Sequence, residues 1–436
     1  MLFTIFIIPL FSICYLVYRN VKDRVYRIFL FLMILGFTIY SGLGIFTENE
    51  NIQQNDLTYI IQFLLFICMF LLGYKIVMKY RIHSYMKELD RISANRLFII
   101  MGYMYIAVYI YKCIYSGVVL SDILNIQKLF VNYSATTFAT RVTRNSDSIY
   151  SIITNQVTNI CAPFFYIMLY NVRKNHKKFL TLYCLPIVLA LLSDGYLSRN
   201  KIAVYVVFIF IYLVDEKIIS KGIAKMIVIG AVPLLLLIFA TLESIRSGTV
   251  SGEGMLESIK HMVVSEISYP QYYDNCVAQS KDVSALNFLI YIIVVCIPSQ
   301  FYSLFGYQTP NLAYSFTKAI IGLSYGQTNN YYILLPSVLG EALMLFGKHF
   351  AFVYGFIYGI ISTWFLKVLK EHECTKYLMI YFLLDFFRQF RGGSQFVISV
   401  WETQIIPMII IVAIVSTISK GKRGKNEKCI NNYTDI

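Results

Sequence analysis

The stretch Leu335-Pro336-Ser337-Val338-Leu339-Gly340-Glu341-Ala342-Leu343-Met344-Leu345-Phe346-Gly347, preceded by Thr328-Asn329-Asn330-Tyr331-Tyr332, decides how this chain is read. It is an apolar run that carries a polar stripe. Asn330, Ser337, Glu341 and Lys348 are spaced seven, four and seven apart, which puts them on one face of a helix. Pro336 removes a backbone donor and clashes with the preceding turn, so the start of that helix is expected to be kinked or broken. A carboxylate in an apolar run costs about 2.5 kcal/mol or more at mid-bilayer. Glu341 must therefore be compensated or used. The plainer reading puts it at a helix end, at the interface opposite Lys348; the functional reading makes it part of a site.

Composition sets the class. Hydrophobic residues make up 58% of the 436 and charged residues 14%, against about 25% charged in soluble domains. The chain reads as an all-α, polytopic transmembrane helix bundle. At about 20 residues per span its apolar runs give about eleven to thirteen helices. They use nearly the whole length, so residues 1–436 form a single integral membrane domain.

The net charge of +14 could suggest nucleic acid, but its distribution argues against that partner. The segments Arg19–Arg27, Lys75–Arg96, Arg173–Lys178, Lys217–Lys225, Lys367–Lys376 and the tail from Lys420 hold 25 of the 38 lysines and arginines. That is the positive-inside bias. It places the N-terminus outside, the C-terminus in the cytoplasm, and requires an odd number of spans. Membrane lipids are the implied surroundings.

The candidate spans are Leu2–Tyr18, Ile28–Phe46, Leu57–Met78, Leu97–Tyr115, Ile149–Tyr170, Phe179–Leu192, Ile202–Val214 and Ile223–Leu242. Phe288–Phe305, Tyr331–Gly347, Phe350–Leu369, Tyr377–Phe390 and Phe396–Ile418 follow. If Phe288–Phe305 crosses fully the total is 13; if it dips in and returns, it is 11. Irregular backbone at membrane depth is tolerated where it lines a cavity, so a re-entrant segment would itself mark the site. Two outer loops are long, about 116–148 and 243–287. The second mixes acids, bases and aromatics, including His261, Tyr269, Tyr272, Tyr273 and Asp274.

Arginines at expected outer helix ends run against the charge rule. Arg199 follows Leu197-Ser198, Arg246 closes Glu243-Ser244-Ile245, and Arg388 and Arg391 stand just before Gly392-Gly393-Ser394. A guanidinium is a permanently charged fork that matches phosphate geometry. An outward cavity with several of them suits a diphosphate. Each one singly also fits a salt bridge or snorkelling to lipid phosphate, since Glu243, Asp385 and Asp194 lie close in sequence. The nine cysteines form no C-x-x-C pair and the five histidines no metal-ligand spacing. There is no Walker loop, dinucleotide fingerprint or nucleophile elbow, so no cofactor or metal is expected and the substrate must arrive already activated.

The chain resembles the O-antigen and capsule repeat-unit polymerases of the Wzy type. The resemblance rests on the many spans, short basic inner loops and one dominant outer loop in the second half. Its local marks are Leu197-Ser198-Arg199, Arg246 at the start of the large loop, and Leu339-Gly340-Glu341 with Phe346-Gly347. It implies a GT-C-like bundle and a metal-independent, inverting glycosyl transfer at the outer face of the bacterial inner membrane. Two undecaprenyl-diphosphate-linked oligosaccharides would bind together, with a chain-length regulator and a flippase as further partners. The arginines Arg199, Arg246, Arg388 and Arg391 would hold substrate, aided by Asn330 and Tyr331. Glu341 is the first candidate for the base and His261 the second. Two other readings share the spans: a lipid-linked oligosaccharide flippase, which needs a cavity open to both sides, and an O-antigen ligase, which uses the same carrier.

Overall fold

In a computed structural model the described residues are 2–46, 56–80, 89–115, 149–194, 199–220, 273–279, 312–322 and 334–431, with isolated positions between 222 and 230. They form an all-α bundle with no strand among them. Six helices among the described residues are long and apolar enough to cross a membrane. Helices α1 (Leu2–Asn20), α2 (Arg24–Phe37), α3 (Asp56–Lys79), α4 (Leu89–Ile92) and α5 (Arg96–Tyr115) come first. Next are α6 (Ile149–Val172), α7 (His176–Asp194), α8 (Arg199–Asp215), α9 (Tyr273–Gln279) and α10 (Leu312–Ile321). The C-terminal part holds α11 (Ser337–Lys370), α12 (Lys376–Asp385), α13 (Phe387–Gly392), α14 (Gln395–Val400) and α15 (Ile406–Asn431).

Packing follows the aromatic and glycine content. α2 and α3 run antiparallel: Tyr26 meets Tyr74 at 6.1 Å, Phe29 meets Phe70 at 6.3 Å, and Phe37 meets Phe66 at 5.1 Å between ring centroids. The second limb of α11 instead runs parallel to α3, because Gly355 lies against Phe66 and Gly359 against Phe70. Gly355 and Gly359 are one helical turn apart, and Gly73 of α3 faces Phe356 and Ile360. Small residues at this spacing let two backbones approach closely, which is how membrane helices pack without a hydrophobic drive.

The basic segments gather at one end of the bundle. Lys370 pairs with Asp23, Lys376 with Asp215 at 2.6 Å, Arg173 with Glu216 at 3.5 Å and His372 with Asp90 at 3.1 Å. Lys367 donates to the carbonyls of Tyr80 at 2.6 Å and Val77 at 3.1 Å. Burial pushes the Asp90 carboxyl up, but the backbone N–H of Cys374, the Cys374 side chain and His372 outweigh it and hold the group below its ordinary value. The loops expected to share one side of the membrane therefore meet in space. α15 packs on α4 at this same end, while α1 begins at the opposite one.

Candidate functional site where broken helices meet

The apolar run that opened the sequence reading forms a helix only from Ser337 onward. Leu334–Pro336 is non-helical, and the hydroxyl of Thr317 in α10 accepts the Leu334 N–H at 2.9 Å. This satisfies a backbone group that the proline-containing segment leaves outside any helix. The start is broken, as Pro336 predicts. Ser337 itself has φ 64°, and its hydroxyl accepts the Gly340 N–H at 3.3 Å.

A second break falls at Gly347, with φ 70° and ψ 179°. Glu341 and Tyr354 lie on opposite sides of it, thirteen residues apart, yet the Tyr354 hydroxyl donates to Glu341 Oε2 at 3.1 Å. In a straight helix their Cα atoms would stand about 20 Å apart. The chain therefore bends sharply at Gly347. This corrects the single polar face: Glu341 points into the protein, while Lys348 beyond the bend has its ammonium 5.5 Å from the Tyr59 ring. The physical reason is the glycine, which accepts φ 70° together with ψ 179°, a combination open essentially to glycine alone. The second limb runs from here to the basic end, so Lys348 lies near the opposite end of the bundle. Tyr354 sits six residues, or about 9 Å, further in.

The third break is Gly393, with φ 87° and ψ 176°. α12 and α13 climb from the basic end. Beyond Gly393 the chain turns back, and Trp401 stacks on Trp364 at 5.2 Å and meets Phe365 at a tilt, 4.4 Å between centroids. The tip of this hairpin meets Glu341. The Ser394 N–H donates to Oε2 at 2.6 Å, and the Ser394 hydroxyl donates to Oε1 at 2.9 Å. Glu341 is 2% exposed. Glycine is required at position 393 for its φ, and a Cβ there would also lie a tight 3.1 Å from Oε2.

A fourth irregularity borders the others. α2 passes into a π-helical turn, Thr38–Gly42, whose Ser41 hydroxyl donates to Ser337 Oγ at 3.3 Å. The Ser41 carbonyl accepts the Tyr273 hydroxyl at 3.0 Å, and Tyr59 donates to Asp274. The short helix α9 is thus seated in the bundle with Tyr273 and Cys276 wholly buried. Tyr273 is one of the aromatics noted in the segment 243–287. Its ring packs on Tyr59 at 5.4 Å inside the protein.

Of the residues singled out in sequence, Glu341 is bonded to the Gly393–Ser394 turn that follows Arg388 and Arg391 in the chain. Arg391 is half-buried in the last turn before Gly393, and Arg388 lies one turn earlier in α13. Arg199 opens α8. Arg246, His261, Asn330 and Tyr331 lie outside the described residues, as do residues 116–148 and most of 243–287. Sequence reasoning missed Ser394 and Tyr354 as partners of Glu341. The only signal was the Gly392-Gly393-Ser394 turn itself.

These features define a polytopic, all-α membrane protein whose irregular backbone is gathered inside the bundle, toward the end remote from the basic loops. The chain belongs to the family described as O-antigen polysaccharide polymerase Wzy, which matches residues 1–422. It is thereby a glycosyltransferase-type polymerase of polysaccharide biosynthesis that acts on lipid-linked oligosaccharides in a membrane. No curated protein and no solved structure matches it.

Proposed function

We propose that this chain joins undecaprenyl-diphosphate-linked oligosaccharide repeat units into a longer glycan at the outer face of the bacterial cytoplasmic membrane. The family match over residues 1–422 carries the reading. The clustered basic loops support the orientation, since lysine and arginine are retained on the cytoplasmic side. In that frame Glu341, Gly393 and Ser394 lie in the outer part of the membrane, and the long loops 116–148 and 243–287 face outward from a single membrane domain.

The reaction is an inverting displacement. A sugar hydroxyl of the incoming lipid-linked unit attacks the anomeric carbon of the growing chain, the new glycosidic bond forms as the bond to phosphate breaks, and undecaprenyl diphosphate leaves. Negative charge develops on the diphosphate, and arginines fixed in a dry cavity stabilise it most in the transition state. We assign that work to Arg199, Arg246, Arg388 and Arg391, with Asn330 and Tyr331 holding sugar, and no metal is needed for it. The attacking hydroxyl must lose a proton. Glu341, the first candidate, is buried and accepts three hydrogen bonds from its own chain, so we assign the base role to the second candidate, His261.

The test is incubation of the purified protein in lipid vesicles with a lipid-linked repeat unit. The expected product is a ladder of longer glycans on the same lipid. A single shift onto a different acceptor would mean a ligase. Movement of the substrate across the vesicle wall with no new bond would mean a flippase.

A further inference from the structure

Glu341 offers more than a buried charge. It touches three of the four backbone irregularities at once. It lies in the first limb of α11, four residues after the left-handed Ser337. It accepts from Tyr354 across the Gly347 bend and twice from Ser394 at the Gly393 turn. Ser394 has no capping bond to its own helix, because its hydroxyl is committed to Glu341. The carboxylate thus takes over the start of the helix that runs from Gln395 onward, where a negative group is also favoured by the helix dipole.

We propose that Glu341 is a positioning residue: it latches the Gly393–Ser394 tip, and through it sets the depth and rotation of the segment carrying Arg388 and Arg391. It does not take the acceptor proton. The inference rests on the diphosphate-clamp reading for its consequence, but the latch itself is a statement about the protein alone. A base must reach substrate, whereas this carboxylate is 2% exposed and accepts three hydrogen bonds from its own chain. The backbone N–H is the most telling contact, since it can only donate and is fixed in direction by the turn.

Glu341→Gln separates the two roles. An amide keeps one acceptor oxygen for the Ser394 N–H and turns an NH2 group toward the Ser394 hydroxyl, which must reverse and accept, so the pairing survives only without its charge. Hydrogen–deuterium exchange of residues 388–397 in the detergent-purified variant is the first measurement, and it needs no activity. Exchange there is expected to rise at least roughly tenfold, the loss of a charge-assisted bond, while the rest of the bundle is unchanged. The second measurement is kinetic. Glu341→Gln and Ser394→Ala are each expected to raise the KM for the lipid-diphosphate donor by about tenfold with little loss of kcat. The double variant should be no worse than the more severe single one, because both remove the same contact. The acid limb of the pH–rate profile should persist in Glu341→Gln.

Unchanged exchange at 388–397 overturns the latch whether or not the protein polymerises. A kcat loss of about 100-fold with unaltered donor KM and a vanished acid limb makes Glu341 the base instead. If wild-type protein makes no glycan, the functional reading fails and the exchange result still decides the latch. Should Glu341→Gln not accumulate, Ser394→Ala carries the exchange test from the other side of the same contact.

Discussion

Ser394 donates twice to a carboxylate fifty-three residues earlier in the chain. That distance explains what one residue's sequence context could and could not reveal. Glu341 stood out because a charge in an apolar run is costly, and the cost demands a partner. The partner's identity lay in a turn whose glycines were legible only as a helix end. Arg391 belongs to the same turn, and its role is testable by itself. Arg391→Ala is expected to lower kcat/KM for the lipid-linked donor by roughly 100-fold or more, the typical cost of removing one preorganised donor from a developing anion. Arg391→Lys should recover only part of this, because an ammonium lacks the planar fork. Wild-type glycan ladders from the Ala variant in vesicles would remove Arg391 from the diphosphate clamp.

Among the elements, α11 departs furthest from its expected form. Two spans, Tyr331–Gly347 and Phe350–Leu369, were legible as apolar runs separated by Gly347, and the break falls there. What periodicity could not give is the non-helical Leu334–Pro336 just before Ser337, held by Thr317 of α10. Nor could it say that Phe288–Phe305, outside the described residues, is not the sole place to look for interrupted helices. The second limb is fixed by close approach to α3, and this gives a stability prediction. A methyl group at Gly359 would fall 2.2 Å from the Phe70 carbonyl oxygen, and one at Gly355 would come 2.5 Å from that of Phe66, both overlaps. Neither neighbour can rotate away, because both are main chain. Gly359→Ala should therefore destabilise the protein by about 1–3 kcal/mol, read as a lower thermal midpoint in detergent. Gly222→Ala, where a Cβ meets nothing within 4 Å, is the control. Equal midpoints for the two variants would mean that α3 and α11 do not pack as closely as this.

At the scale of the whole molecule, the distribution of charge predicted more of the fold than any motif did. The loops assigned to one side from their lysines and arginines are joined in space by the pairs Lys370–Asp23, Lys376–Asp215, Arg173–Glu216 and His372–Asp90. Such pairs are worth little individually when exposed; their value here is geometric, since groups on opposite sides of a bilayer could not meet. The relative topology follows from them, while its absolute direction is a proposal resting on the positive-inside bias. Single cysteines placed in a background lacking all nine native ones decide that direction. A cysteine at Glu253, in the long loop, should react with an impermeant maleimide added to intact cells. One at Lys425 should react only after the membrane is opened. Because the Glu341–Ser394 contact lies toward the end away from the basic loops, the same labelling also fixes which face the site serves. Labelling of position 253 from the cytoplasm alone would invert the bundle and put the site on the inner leaflet, where a polymerase using externally displayed lipid-linked units could not work.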